Sequence, residues 1–123
     1  MLLVNKEEFR IKIIDFGIAG IVKSMTWEDL DVGSLSYMAP ECFMNNKDYK
    51  IDGRIDVWAT GIILYGMLFG ELPFQGTDSA QVIELIKHGE LKPNKKLRNN
   101  LSVQCMDLLE KMLEKDPKKR LTM

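Results

Sequence analysis

Several kinds of residue and pattern are scarce in this chain, and each scarcity narrows what it can be. Its 123 residues hold two cysteines, Cys42 and Cys105, and a single histidine, His88. These make no ligand spacing, which argues against a structural zinc site. They read as free, reduced thiols of a cytoplasmic or nuclear protein. Seventeen basic residues stand against eighteen acidic ones, a formal net charge of −1. Neither sign is in the excess that would attract nucleic acid or an acidic lipid surface, so no nucleic-acid or membrane partner is expected. No apolar run reaches the roughly 20 residues a membrane-spanning helix needs. Residues Met1–Glu8 (MLLVNKEE) carry no positive region ahead of their short apolar one and do not form a secretory leader. Internal repeats and low-complexity tracts are missing as well, and no two of the nine glycines stand as Gly-x-Gly.

What is present is a globular composition, 46% hydrophobic and 28% charged, sufficient for one modest core. The stretch Asp56–Pro73 (DVWATGIILYGMLFGELP) organises the rest. Asp56 suits an N-cap and Gly70-Glu71-Leu72-Pro73 is a stop, which predicts one helix over 56–70. Val57, Trp58, Ile62, Ile63, Leu64, Tyr65, Met67, Leu68 and Phe69 make it apolar all round, the pattern of a helix buried on every side. Each large side chain so buried contributes roughly 1.5–3 kcal/mol.

Ahead of that helix, Met1–Val4 and Phe9–Ile14 flank the polar Asn5–Glu8 and predict a short β-hairpin. From Ile18 to Leu35 periodicity disappears while Glu28, Asp29 and Asp31 and several hydroxyls gather, the signature of a long loop. Ala39–Met44 can form a short helix with Pro40 in its first turn. Past the central helix, Asp78 or Ser79 caps a helix running to Lys87, with Gln81 placed to close a capping box and Val82, Ile83 and Ile86 as its apolar stripe. Glu90–Asn100 reads as a basic loop. Ser102 caps a last helix on which Cys105, Leu108, Leu109, Met112 and Leu113 recur at helical spacing. Asp116-Pro117 stops it, and Lys118–Arg120 reads as a solvated basic turn. The fold class expected is mainly α with a short β-hairpin, in a single domain spanning 1–123.

Asp15-Phe16-Gly17 could, by itself, be an ordinary strand-to-loop turn. It is followed in order by Gly33-Ser34-Leu35-Ser36-Tyr37-Met38-Ala39-Pro40-Glu41, by Asp56-Val57-Trp58 with Gly61, by Leu72-Pro73-Phe74, and by Asp116-Pro117-Lys118-Lys119-Arg120-Leu121-Thr122. This order and spacing resemble the eukaryotic protein kinases, from D-F-G through A-P-E to D-P-x-x-R-x-T. The resemblance covers essentially the whole chain. It implies a partial kinase-like fold, the C-terminal lobe from the strand before D-F-G to the D-P-x-x-R turn.

By that resemblance Asp15 holds Mg²⁺ on the triphosphate of ATP, with Ile14, Phe16 and Gly17 on the nucleotide side. Residues 15–41 become the activation segment, with Gly33 and Ser34 in the wall beside a protein substrate. Ser34 and Ser36 also fit plain loop polarity. Glu41 and Arg120 correspond to a buried ion pair tying that segment to the base of the lobe, and Asp56 to the residue that holds the catalytic loop. Gly-Ser-x-x-Tyr-x-Ala-Pro-Glu is of serine/threonine rather than tyrosine type, and the helices are similar to those of the calcium/calmodulin-dependent group. Leu30 occupies a place where many kinases carry a phosphorylatable hydroxyl. Its neighbours Asp29 and Asp31 read either as a solvated acidic loop or as fixed negative charge.

The family's glycine-rich loop, strand lysine and H-R-D aspartate find no counterpart in these residues. The expectation is half of a kinase domain, cut at both ends, that does not transfer phosphate alone and holds Mg²⁺ and ATP weakly or not at all. Apolar surface left open by the cut is expected to favour oligomerisation, or disorder across Ile18–Val32. The alternative function is a non-catalytic, kinase-like interaction module that docks partners through the Ser79–His88 helix.

Overall fold

The computed structural model describes residues 2–5, 10–12, 32–44 and 52–122, with side chains from residue 34 onward within those ranges. At the start, β1 (Leu2–Asn5) and β2 (Arg10–Lys12) pair antiparallel. Leu2 faces Lys12, Leu3 faces Ile11 and Asn5 faces Arg10, with a bulge between Leu3 and Asn5. The remaining elements are helical: α1 (Val32–Leu35), a 3-10 turn at Pro40–Phe43, α2 (Arg54–Phe69), α3 (Ser79–His88), α4 (Lys95–Arg98) and α5 (Val103–Met112). None of the described helices is long and apolar enough to cross a membrane.

The central helix starts two residues earlier than the sequence suggests. Gly53, not Asp56, stands at the N-cap and makes no side-chain cap bond, and Asp52 just before it accepts the Arg54 backbone N–H at 3.0 Å. Asp56 sits within the first turn, exposed, where its charge suits the helix dipole. At the other end Gly70 adopts φ 75°, the left-handed conformation that ends helices, and its N–H donates to Gly66 O at 2.9 Å.

Burial of α2 is one-sided, which corrects the expectation of burial all round. Val57, Trp58, Gly61, Ile62, Tyr65 and Phe69 are buried. Asp56, Thr60, Ile63 and Met67 are exposed, Met67 at 79%. Their spacing of four, three and four residues is one stripe along the helix. An apolar sequence cannot say which stripe has neighbours, and here α5 packs on the opposite one.

The core joins Leu35, Ala39, Trp58, Ile62, Tyr65, Phe69, Phe74, Val82, Ile86, Met106, Leu109 and Leu113. Trp58 stacks on Phe74 with ring centroids 5.8 Å apart. α5 approaches α2 at Gly61, where an added Cβ would lie 2.9 Å from Leu113 Cδ2 and 3.0 Å from Met112 Cβ.

Asp78 Oδ1 caps α3 by accepting from Gln81 N, and Ser102 Oγ caps α5 by accepting from Cys105 N. Gln81 departs from the capping-box expectation: its Oε1 accepts from Thr77 N at 2.7 Å, one residue beyond the cap. On α5, Met106 is buried while Leu108 is 46% exposed, because the helix turns its Met106–Leu109–Leu113 face to the core. α1 and α4 lie within stretches expected to be loop, so Val32 opens a helical turn. Residues 18–31 lie outside the described residues.

Candidate functional site

Two turns far apart in the chain meet at the base of α2. The first begins at Ala39, in extended conformation (φ −75°, ψ 152°), from which Pro40 starts the 3-10 turn and carries Glu41 inward. The second is the Asp116–Arg120 turn. Asp116 Oδ1 accepts from Lys118 N at 2.9 Å, and Asp116 O accepts from Lys119 N and Arg120 N at 3.0 Å each. Lys118 and Lys119 project outward, and Arg120 points into the protein with 3% exposure. Composition alone makes this a solvated basic turn, and for Arg120 the turn geometry overrides it.

The structure brings Glu41 and Arg120 together. Arg120 Nη1 donates to Glu41 Oε1 at 2.7 Å and Nη2 to Oε2 at 2.8 Å. The two side chains are 2% and 0% exposed. Burying both charges costs several kcal/mol per ion, recovered only where every donor finds an acceptor. Arg120 meets that condition. Its Nε donates to Glu114 O at 2.8 Å, Nη1 also to Arg54 O at 3.1 Å, and Nη2 also to Lys115 O at 3.4 Å. All five guanidinium N–H groups are thereby engaged. Arg54 returns the contact, its Nη1 donating to Pro117 O at 2.9 Å. The start of α2 is therefore clamped to the second turn, and Glu41 to both.

Electrostatics around the pair are shaped by burial. The Cys42 thiol is pushed up to about 11, first by burial and then by the Glu41 carboxylate, against the pull of Arg120 and of a backbone bond to Ala39. Such a thiol is held protonated and unreactive. Lys115 Nζ caps the C-terminal end of α3, donating to Leu85 O at 3.1 Å and Ile86 O at 2.6 Å. It lies 3.7 Å from the Phe74 ring centroid and 5.2 Å from that of Trp58, while Arg120 Cζ lies 5.0 Å from the Trp58 centroid. Burial lowers Lys115 to about 8, Arg120 adding to the effect and Glu114 opposing it. Trp58 Nε1 is buried without a hydrogen-bond partner among the described residues.

The other residues singled out by sequence divide in two. Ser34 is exposed on α1, directly before Leu35, which is fully buried and anchors that turn. Asp56 is exposed on the first turn of α2. Ile14, Asp15, Phe16 and Gly17 lie outside the described residues. Sequence reasoning missed Arg54 and Lys115. Both act through backbone carbonyls, a contact that leaves no residue-type signal in the sequence.

Comparison with known proteins is consistent across the chain. Residues 1–123 match the family model of the protein kinase domain. The serine/threonine-protein kinase cds1 of Schizosaccharomyces pombe is 35% identical over 127 residues, covering 99% of this chain and 27% of that protein. The serine/threonine-protein kinase ULK3 of Mus musculus is 36% identical over 124 residues, covering 99% and 25% respectively. Calcium-dependent protein kinase 11 of Oryza sativa is 40% identical over 124 residues, covering 99% and 20%. The chain thus spans about a fifth to a quarter of the length of these curated relatives.

Proposed function

The chain belongs to the protein kinase domain family, and on that premise we propose that it is one part of an ATP-dependent serine/threonine protein kinase. The observation that carries this reading is the buried Glu41–Arg120 pair, which fastens the end of the Ser34–Glu41 segment to the Asp116–Arg120 turn. A segment that positions a protein substrate needs a rigid footing. A bidentate, fully donated guanidinium under its last residue supplies one.

In this proposal the segment 15–41 is the activation segment. Asp15 would hold the Mg²⁺ of Mg-ATP, with Ile14, Phe16 and Gly17 bordering the nucleotide. The metal supplies charge neutralisation on the transferring phosphoryl group. Ser34 is exposed beside buried Leu35, and in this proposal it would border the hydroxyl-bearing substrate segment. Asp56 would steady the catalytic loop from the first turn of α2. The 123 residues contain no Gly-x-Gly loop and no His-Arg-Asp, so in isolation they do not turn over ATP.

The test is phosphotransfer from radiolabelled ATP by the complete polypeptide that carries this segment, with serine, threonine and tyrosine acceptors compared. The expected result is serine or threonine labelling, abolished by Asp15→Asn, and none by the isolated chain. Labelling that survives Asp15→Asn, or that falls on tyrosine alone, overturns the reading.

A further inference from the structure

We propose that the cavity between the C-terminal ends of α2 and α3 binds an arginine side chain presented by a partner polypeptide. The cavity has a volume of about 290 Å³, ample for one such side chain. The proposal does not rest on phosphoryl transfer, because neither the Glu41–Arg120 pair nor Ser34 is among the residues that line the cavity.

The primary observation is Tyr65. Its ring is packed against Phe69 with centroids 4.5 Å apart, and the residue is only 2% exposed. Its hydroxyl has no hydrogen-bond partner among the described residues, yet it is not sealed, and Tyr65 lines the cavity. A tyrosine buried to this degree ordinarily places its hydroxyl against a partner. Here that hydroxyl opens on a space that a ligand can fill.

The second observation is the charge around that space. Glu71 and Glu90 line it with Lys92, two carboxylates against one ammonium. No ion pair engages either carboxylate among the described residues. The proximity of Glu71 also raises the Tyr65 hydroxyl, after burial, so that it remains a neutral donor and acceptor.

The walls complete the match. Leu72 and Leu85 offer apolar surface to a methylene stem, while the carboxylates and the phenol oxygen offer acceptors to its head. A guanidinium presents five donors in a planar fork and can meet two carboxylates and a hydroxyl together. An ammonium is a compact point charge with three donors and a stronger hold on its water. Arginine is therefore favoured over lysine, and Lys92 opposes both.

The experiment is an NMR titration of the full 123-residue chain with the terminally blocked peptide Ala-Ala-Arg-Ala-Ala, following the backbone amides of Gln75 and Gly89, which also line the cavity. The same peptide with lysine or with uncharged citrulline serves for comparison. The expected result is a set of shifts centred on those amides, weaker with lysine, absent with citrulline and reduced by added salt. Glu71→Gln combined with Glu90→Gln is expected to weaken binding roughly tenfold, about 1.4 kcal/mol. Tyr65→Phe is expected to weaken it severalfold, and Lys92→Glu to tighten it. Glu71, Glu90 and Lys92 are exposed, so these three substitutions test the site without disturbing the core. No shift up to about 10 mM peptide, shifts centred elsewhere, equal response to citrulline, or weaker binding by Lys92→Glu overturns the proposal.

Discussion

Arg120 Nη1 and Nη2 meet the two carboxylate oxygens of Glu41 at 2.7 and 2.8 Å across 79 residues of sequence. The same guanidinium takes up the carbonyls of Arg54, Glu114 and Lys115. One side chain thereby fixes the 3-10 turn, the start of α2 and the chain following α5 with respect to one another. The junction fixes the Glu41 end of the Ser34–Glu41 segment, while buried Leu35 and Ala39 hold the rest of it in the core.

Close packing at Gly61 sets opposite outcomes for two glycines of the same helix. A Cβ at Gly61 would lie 2.9–3.1 Å from Leu113 and Met112, whereas one at Gly66 meets nothing nearer than 3.8 Å. Alanine gains about 0.5–1 kcal/mol over glycine within a helix. At Gly66 that gain stands alone, so Gly66→Ala raises stability by about that amount. At Gly61 an overpacking cost of about 1–3 kcal/mol exceeds it. Gly61→Ala therefore lowers the urea midpoint, and Gly61→Val lowers it further.

Helix starts give a second contrast. Removing the capping oxygen by Asp78→Ala or Ser102→Ala costs about 1 kcal/mol each, read from denaturant midpoints. Asp52→Ala has a comparable effect, since Asp52 satisfies the Arg54 amide. Asp56→Ala costs less, about 0.3–1 kcal/mol, the share of a helix-dipole contact. A larger loss at Asp56 than at Asp52 would contradict the assignment of the Arg54 amide to Asp52.

Lys115 makes stability depend on pH in a stated direction. Its folded value lies at about 8 against 10.5 when free. The unfolded chain therefore binds more protons between those values, and stability rises with pH through that window. It is fully present above 10.5 and lost as pH falls toward 8. Cys42 acts the other way from 9.0 upward, because its thiol is raised to about 11 and the unfolded chain ionises first. The window from about 8 to 9 is consequently Lys115's own. Unfolding followed across it shows stability increasing with pH in the native sequence. In Lys115→Met the slope flattens. An unchanged slope would remove Lys115 from this role.

Much of this architecture is legible in the residues themselves. The stop at Gly70, the caps at Asp78 and Ser102 and the core stripe Val82–Ile86 follow from local rules that tertiary packing leaves intact. Other features depend on neighbours that no local pattern names. α2 is apolar on every side, so its sequence cannot distinguish buried Ile62 from exposed Ile63. Four-residue helices such as α1 and α4 are too short to express a period. Lys118–Arg120 is locally a basic turn, and only the order of motifs along the chain singled out Arg120 as the buried member. Lys115 and Arg54 bind carbonyls, and every residue offers a carbonyl, so nothing in the sequence marked them. Among the site residues named from resemblance, Glu41 and Arg120 meet, Ser34 and Asp56 stand exposed, and Ile14 through Gly17 lie outside the described residues.

The most direct measurement is a double-mutant cycle on Glu41 and Arg120, made by Glu41→Ala, Arg120→Ala and their combination in equilibrium denaturation. Each single replacement leaves a buried charge unpaired and is expected to cost about 3–5 kcal/mol. The double replacement should cost far less than the sum, with a coupling of roughly 2 kcal/mol or more. Additive effects, or single losses below about 0.5 kcal/mol, would mean that the junction beneath α2 does not hold the segment in place.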